Sequence, residues 1–172
     1  MPCSAMNLYF LRHGLAVEGD EFDYASDAAR QLTPKGKKPL RAVAAALRTM
    51  EPRLDMIWSS PLVRARQTAE IIAAKLKLKK QLARADELKP CGAAKKLVQK
   101  INRLKPMPEN ILLVGHEPDL SELISLFVTG QPGGGFALKK SGLAKLEIEK
   151  LRAGKCAILA WLLTPAQMKL MI

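Results

Sequence analysis

The chain contains two histidines, and each lies just beyond a short apolar run. Arg12 and His13 follow the run at residues 8–11, and His116 lies two residues after the run at 111–114. Apolar runs of about four to eight residues beside turn-forming residues are typical of strands covered on both faces. In open α/β sheets, ligands bind beyond the carboxyl ends of such strands. Two imidazoles and a guanidinium brought to one crevice predict a site that handles phosphate.

A second arginine can reach the same crevice. Arg64 lies one turn into a helix predicted to begin at Ser59-Ser60-Pro61, so its side chain can reach back to the helix N-terminus. That end carries unpaired N–H groups and a partial positive charge, which favour an anion. Arginine binds phosphate oxygens bidentately. A neutral imidazole in such a pocket can attack phosphorus, giving a phosphohistidine that water then hydrolyses.

The reaction also needs an acid to protonate the leaving group and then activate water. The best-placed candidate is Glu87, which follows a possible strand at 82–85. The alternative for Glu87 is a surface carboxylate that pairs with a nearby lysine. Ser60 is interpreted as a helix cap rather than a substrate ligand, and Arg66 is expected on another, exposed side of the helix.

The predicted elements alternate between strands and helices, which indicates an α/β three-layer sandwich. The polar segment 14–32 is expected to form an irregular loop over the site. Thr33-Pro34 predicts a helix start and Glu51-Pro52 its end, while Pro118 is expected to take the first position of a later helix. Strands are predicted at 8–11, 54–58, 82–85, 111–114, 143–149 and 156–163, and helices at 34–50, 61–76, 93–104, 118–128 and after Thr164-Pro165. The last two strands predict an antiparallel hairpin at the sheet edge.

The composition limits the classes of protein to which the chain can belong. At 172 residues, 48% hydrophobic and 26% charged, the chain is predicted to be a single globular domain spanning 1–172. The N-terminus has no basic region typical of a signal peptide, and the apolar stretch 156–163 is far shorter than the roughly 20 residues of a membrane helix. Cys3, Cys91 and Cys156 are widely spaced and are expected to be free thiols in a reducing cytoplasm, with no zinc site.

The charge balance is strongly basic, with 28 Lys and Arg against 16 Asp and Glu and a net charge of +12. A basic face can indicate nucleic acid, but aromatic residues make up only 5% and no nucleic-acid-binding motif is present. A solvated surface is the simpler interpretation. Such a field also favours phosphorylated substrates or acidic partner proteins.

Three segments together resemble the histidine phosphatase superfamily, which has the phosphoglycerate mutase-like fold. They are Leu11-Arg12-His13-Gly14, the run from Ser59 through Arg64 to Ala69, and Val114-Gly115-His116-Glu117-Pro118. The resemblance implies a mostly parallel central sheet with an antiparallel edge. It also implies that His13 is the phosphorylated nucleophile, that Arg12, Arg64 and His116 form the phosphate pocket, and that the chemistry needs no metal or cofactor.

Within the superfamily the chain looks most like the SixA group of small phosphohistidine phosphatases. It shares with that group the segments 31–36, 87–92 and 140–144, although Ala93 stands where the group often has Asp. Gly14 is followed by Leu15-Ala16-Val17 rather than by the Glu-Ser of the mutase branch. The short span from Gln67 to Glu87 leaves little room for a lid. The resemblance therefore implies a monomeric phosphatase of a phosphorylated protein, of the histidine phosphotransfer type. The alternatives are a phosphatase of small phosphate esters and a non-catalytic phosphate-binding module.

Overall fold

A computed structural model describes residues 6–19, 23–50 and 53–172. Six strands of this part of the chain form one sheet in the order β3-β2-β4-β1-β5-β6. The strands are β1 (Met6–Arg12), β2 (Met56–Ser59), β3 (Leu82–Arg84), β4 (Asn110–Gly115), β5 (Leu143–Ile148) and β6 (Ala157–Leu163). The first four are parallel, whereas β5 pairs antiparallel with β1 and β6 pairs antiparallel with β5. The predicted mostly parallel sheet with an antiparallel hairpin at its edge is confirmed.

Helices cover both faces of the sheet and give it three layers. They are α1 (Tyr24–Ala29), α2 (Pro34–Thr49), α3 (Val63–Leu76), α4 (Ala94–Asn102), α5 (Asp119–Thr129) and α6 (Pro165–Lys169). Alternate side chains of β1 enter two separate cores: Leu8 and Phe10 pack with residues of α4 and α5, whereas Tyr9 and Leu11 pack with residues of α2 and α3. This alternation follows from the two-residue period of a strand. No helix of the described residues is long and apolar enough to cross a membrane.

Two predicted helix starts are confirmed with their caps. The Thr33 hydroxyl accepts a hydrogen bond from the Gly36 N–H at 2.9 Å, and Pro34 begins α2. Thr164 caps α6 in a capping box with Gln167. The predicted end of α2 at Glu51-Pro52 lies outside the described residues, and the helix ends at Thr49.

Three local predictions are wrong. The segment 14–32 is not wholly irregular, because it contains α1, capped by the Asp23 carboxylate, and a bridge between Ala16 and Leu32. No residue of α1 is buried, so the sequence carries no apolar stripe there to indicate a helix. Helix α3 begins at Val63 rather than at Pro61, with Leu62 at its N-cap. Pro118 is likewise the N-cap of α5 rather than its first residue.

Two glycines let α2 approach the turn that follows β1. A Cβ on Gly14 would lie 2.7 Å from the Gly36 carbonyl oxygen, and a Cβ on Gly36 would lie 2.0 Å from the carbonyl oxygen of Leu15. A larger residue at either position would push the helix away from the turn. The first turn of α2 therefore rests directly on the backbone beside His13.

Candidate active site

Three parallel strands end at the same level and deliver the site residues to one edge of the sheet. Arg12 is opposite Gly115 across β1 and β4, and Ser59 is opposite Val114 across β2 and β4. Beyond the strands, the His13 N–H donates to the Gly115 carbonyl at 3.1 Å. His13 and His116 follow these strand ends and therefore lie at neighbouring backbone positions.

The His13 ring is buried, with 8% of the residue exposed. Its Nδ1 lies 2.7 Å from the carbonyl oxygen of Gly14, and its Nε2 lies 3.3 Å from Arg64 Nε. A carbonyl can only accept and an arginine N–H can only donate, so this network puts the proton on Nδ1 and leaves a lone pair on Nε2. That tautomer suits attack by Nε2.

The surroundings of His13 also keep the ring neutral. Burial lowers the pKa of His13 from 6.5 to about 4, with Arg64, Arg12 and Lys140 adding to the effect and the Gly14 hydrogen bond opposing it. A cationic imidazole has no lone pair for attack. The nucleophilic form therefore predominates at neutral pH.

His116 faces His13, with the ring centroids 5.1 Å apart. Its Nε2 lies 2.8 Å from the Ser60 hydroxyl, which also accepts a hydrogen bond from the Leu62 N–H at 3.3 Å. Ser60 thus orients His116 and supports the turn before α3. The interpretation of Ser60 as the helix cap is wrong, because Leu62 is the N-cap of α3 and no side chain caps that helix. Burial, with help from His13 and Arg64, lowers the pKa of His116 to about 3.

Arg12 lies beside the two histidines and is held by a loop from the far end of the chain. Its Nη1 donates to the Leu138 carbonyl at 2.8 Å, and the Ser141 N–H donates to the carbonyls of Arg12 at 3.1 Å and His13 at 3.3 Å. Within the described residues, Arg12 Nε and His116 Nδ1 are buried nitrogens with no hydrogen-bond partner. Buried polar atoms normally have partners, so two such nitrogens on residues near His13 suit the binding of an oxyanion.

Arg64 is the second residue of α3, and only 6% of it is exposed. Its Nη1 and Nη2 both bind Asp27, while its Nε points to His13. Thr68, one turn later, accepts the Gly14 N–H at 3.1 Å and donates to the Arg64 carbonyl at 2.8 Å. These bonds fix α3 against the backbone that follows His13.

The structure brings four of the five predicted site residues together, namely Arg12, His13, Arg64 and His116. The fifth, Glu87, has its carboxylate 2.7 Å from Lys100 Nζ. This contact matches the alternative interpretation of Glu87 as a carboxylate that pairs with a lysine, and its role as an acid stays a prediction. Arg66 forms an exposed pair with Glu70, as its spacing from Arg64 indicated.

Sequence reasoning missed Asp27 and the contacts of Ser60 and Thr68. Asp27 lies in a polar segment without periodicity, where only its proximity to Arg64 in space reveals its role. For Thr68, the available signal was its position one turn after Arg64.

The described residues include no group of three or more His, Cys, Asp and Glu side chains arranged to hold a metal ion. Cys91 and Cys156 are free thiols, and Cys3 lies outside the described residues.

Comparison with known proteins agrees with this geometry. Residues 8–91 match the histidine phosphatase superfamily (branch 1). An uncharacterised protein of Picosynechococcus sp. is 41% identical over 142 residues, which are 82% of this chain and 84% of the relative. The phosphohistidine phosphatase SixA of Escherichia coli K12 is 26% identical over 166 residues, covering 96% of this chain and 98% of SixA.

A solved structure of the protein histidine phosphatase SixA complexed with tungstate is similar over its whole length. The TM-score is 0.80 at 26% identity, covering 95% of this chain and 100% of that structure. The chain belongs to the histidine phosphatase superfamily. Within that superfamily it falls in the SixA-type group.

Proposed function

We propose that this protein is a phosphohistidine phosphatase that removes phosphate from a phosphorylated protein of the histidine phosphotransfer type. The observation that carries the proposal is the neutral His13 ring, whose Nε2 lone pair is directed to Arg64. The similarity to SixA structures, one of them with the oxyanion tungstate, supports the same assignment.

The proposed reaction has two displacements. His13 Nε2 gives up its hydrogen bond from Arg64 Nε and attacks phosphorus. An Nε2–P bond forms and the bond between phosphorus and the substrate nitrogen breaks, its electron pair leaving with that nitrogen, so that a substrate imidazole protonated on its other nitrogen departs as neutral imidazole. Water then attacks the phosphohistidine, the Nε2–P bond breaks with its electron pair returning to His13, and the proton lost by water passes through the released phosphate to solvent. Arg12 and Arg64 offset the charge on the transferring phosphoryl oxygens. In the tautomer whose Nε2 accepts from the Ser60 hydroxyl, neutral His116 contributes a hydrogen bond from its unpaired Nδ1–H.

The carboxylates around the site favour a phosphorus–nitrogen bond as the one broken. Glu87 is held by Lys100, and Asp27 is held by Arg64 and Arg30. Although burial raises the pKa of Asp27, hydrogen bonds from Arg30 and Arg64 lower it below its ordinary value, which makes Asp27 a poor proton donor. A phosphorylated imidazole that is protonated on its other nitrogen leaves readily as neutral imidazole, whose conjugate acid has a pKa of about 6.5, whereas an alcohol oxygen depends on an acid.

The connections around the site support a protein substrate. Helix α3 continues through a short turn at Lys79–Gln81 into β3, so no lid segment is inserted at this point. On the other side, Lys139 and Lys140 are exposed in the loop that binds the backbone of His13. An exposed basic rim suits an acidic protein surface around the phosphorylated side chain.

The test is phosphate release from a phosphohistidine-bearing phosphotransfer domain in the presence of EDTA, with phosphoserine peptide and sugar phosphates run in parallel. We expect fast phosphate release from phosphohistidine and no loss of activity with EDTA. The His13→Ala variant should show no turnover although its thermal stability is unchanged. A phosphoenzyme trapped from the wild type should be stable in base and labile in acid, as a phosphoramidate is.

Other results would contradict the proposal. Hydrolysis of small esters alone would indicate a small-ester phosphatase. If nothing is hydrolysed but tungstate still raises the Tm, the protein is a phosphate-binding module.

A further inference from the structure

Asp27 binds the guanidinium of Arg64 through two different acceptors. Its backbone carbonyl accepts a hydrogen bond from Nη1 at 2.6 Å, and its Oδ2 accepts one from Nη2 at 3.0 Å. Its other carboxylate oxygen accepts a hydrogen bond from Arg30 Nη1 at 2.9 Å. Arg30 in turn donates through Nε to the Val17 carbonyl at 2.7 Å, so the pair is anchored to the chain that follows the nucleophile.

These bonds determine the direction of the Arg64 side chain. A guanidinium is planar, so holding both terminal nitrogens also fixes the direction of the Nε–H. That N–H points to His13 Nε2 at 3.3 Å. Each terminal nitrogen keeps one further N–H for a phosphoryl oxygen. Asp27 therefore sets the geometry in which Arg64 meets the nucleophile.

We propose that Asp27 is a positioning residue for phosphoryl transfer, which acts by holding Arg64 beside His13 in an orientation that leaves N–H groups available to phosphoryl oxygens. It contacts Arg64 and not the reacting atoms. This inference rests on the proposed function only in assigning Arg64 to the phosphoryl group. It holds for a phosphoramidate or an ester substrate alike.

The experiment compares Asp27→Ala with Asp27→Asn on two small substrates, phosphoramidate and p-nitrophenyl phosphate. Loss of a hydrogen bond to a charged group should lower kcat about ten- to a hundredfold in Asp27→Ala, with a smaller change in KM. Asp27→Asn keeps an oxygen that can accept from Arg64 and should recover most of kcat. A merely structural role would not produce this rescue or this split between kcat and KM.

Asp23 supplies the matched control, because it caps the same helix through the Ala25 N–H and is not among the described residues that bind the Arg64 guanidinium. Asp23→Ala should therefore leave kcat within about twofold of the wild type. Equal losses in Asp23→Ala and Asp27→Ala would overturn the proposal, since the stability of α1 would then be the cause.

A double-mutant cycle gives the sharper test. In an Arg64→Ala background, Asp27→Ala should have no further effect on kcat or on the tungstate Kd measured by calorimetry. An equal loss in both backgrounds would show that Asp27 acts independently of Arg64 and would overturn the proposal. Failure of the proposed function would be distinguishable from failure of this inference. In the first case the wild-type enzyme would not dephosphorylate the phosphoprotein, whereas the double-mutant cycle on tungstate binding would still measure the coupling between Asp27 and Arg64.

Discussion

His13 and His116 lie with their ring centroids 5.1 Å apart and their planes inclined by 55°. Both rings are buried among cations, and the pKa values fall to about 4 for His13 and about 3 for His116. The pair is thus maintained as two neutral imidazoles. In the proposed reaction, His13 provides a lone pair and His116 provides a donor for the phosphoryl group.

The decrease of activity at low pH should reflect the protonation of these two neutral imidazoles. Attack requires neutral His13, so kcat/KM, which reports the free enzyme, should fall only as the pH drops toward about 4. The measurement is kcat/KM for phosphoramidate between pH 3.5 and 8, with inactivation checked at each pH. An acid limb near 6.5 would show that His13 has an ordinary pKa.

Stability should depend on pH for the same reason. A histidine whose folded pKa is depressed binds a proton more readily when unfolded, so the free energy of unfolding falls as the pH drops from about 6.5 toward 4. Each histidine contributes a slope of about 1.4 kcal/mol per pH unit inside that window. In urea titrations at a series of pH values, we expect His13→Gln to reduce the dependence of the unfolding free energy on pH by about 1.4 kcal/mol per pH unit, which is the contribution of one proton. An unchanged slope would contradict the assignment to His13.

Glu87→Gln separates the two interpretations of Glu87. If its carboxylate mainly pairs with Lys100, turnover of phosphohistidine should change less than about threefold, and stability should fall by about 1 kcal/mol or less. Lys100→Met is the matched variant, because it removes the same ion pair from the other side. A loss above a hundredfold in Glu87→Gln alone would establish Glu87 as the acid.

Charge reversal on the rim should affect a protein substrate and spare a small one. Lys139→Glu with Lys140→Glu should raise KM for an acidic phosphotransfer domain about tenfold or more, and should remove much of the salt dependence of that KM. KM for phosphoramidate should change much less. The measurements are steady-state kinetics at two ionic strengths.

The chain offers a control pair of lysines for this experiment near the opposite ends of the parallel strands. Lys79 and Lys80 are also exposed, but they lie at the amino end of β3, whereas the site lies beyond the carboxyl ends of the strands. The same reversals there should leave KM nearly unchanged. Equal effects at both pairs would indicate only a response to net charge.

Much of the sheet and four of the site residues could be predicted because their signals are local. The apolar runs before His13 and His116 identify two strands, and parallel strands align their carboxyl ends. The start of α3 was misplaced because the serines before it bind each other, His116 and the turn, rather than the helix. That distinction depends on tertiary contacts.

Asp27 illustrates what local signals leave out. Helix α1 is short and has no buried residue, so neither periodicity nor composition distinguishes it from a loop. Its contact with Arg64 joins positions 37 residues apart, in an otherwise polar segment. For Glu87, by contrast, the local sequence favoured a role in the site. In the structure its carboxylate binds Lys100 of α4, a contact that the local sequence does not indicate.

The place of β1 in the sheet has a consequence for biosynthesis. Leu11 pairs with Val114 on one side and with Leu143 on the other, so the strand that carries the nucleophile lies between partners from the second half of the chain. A ribosome releases His13 early, long before either neighbour exists. Pairing over such sequence distances is slow, because a large loop must close first. A nascent chain that stops before β4 therefore has His13 but no pocket around it, and the site can form only after β4 and β5 have been synthesised.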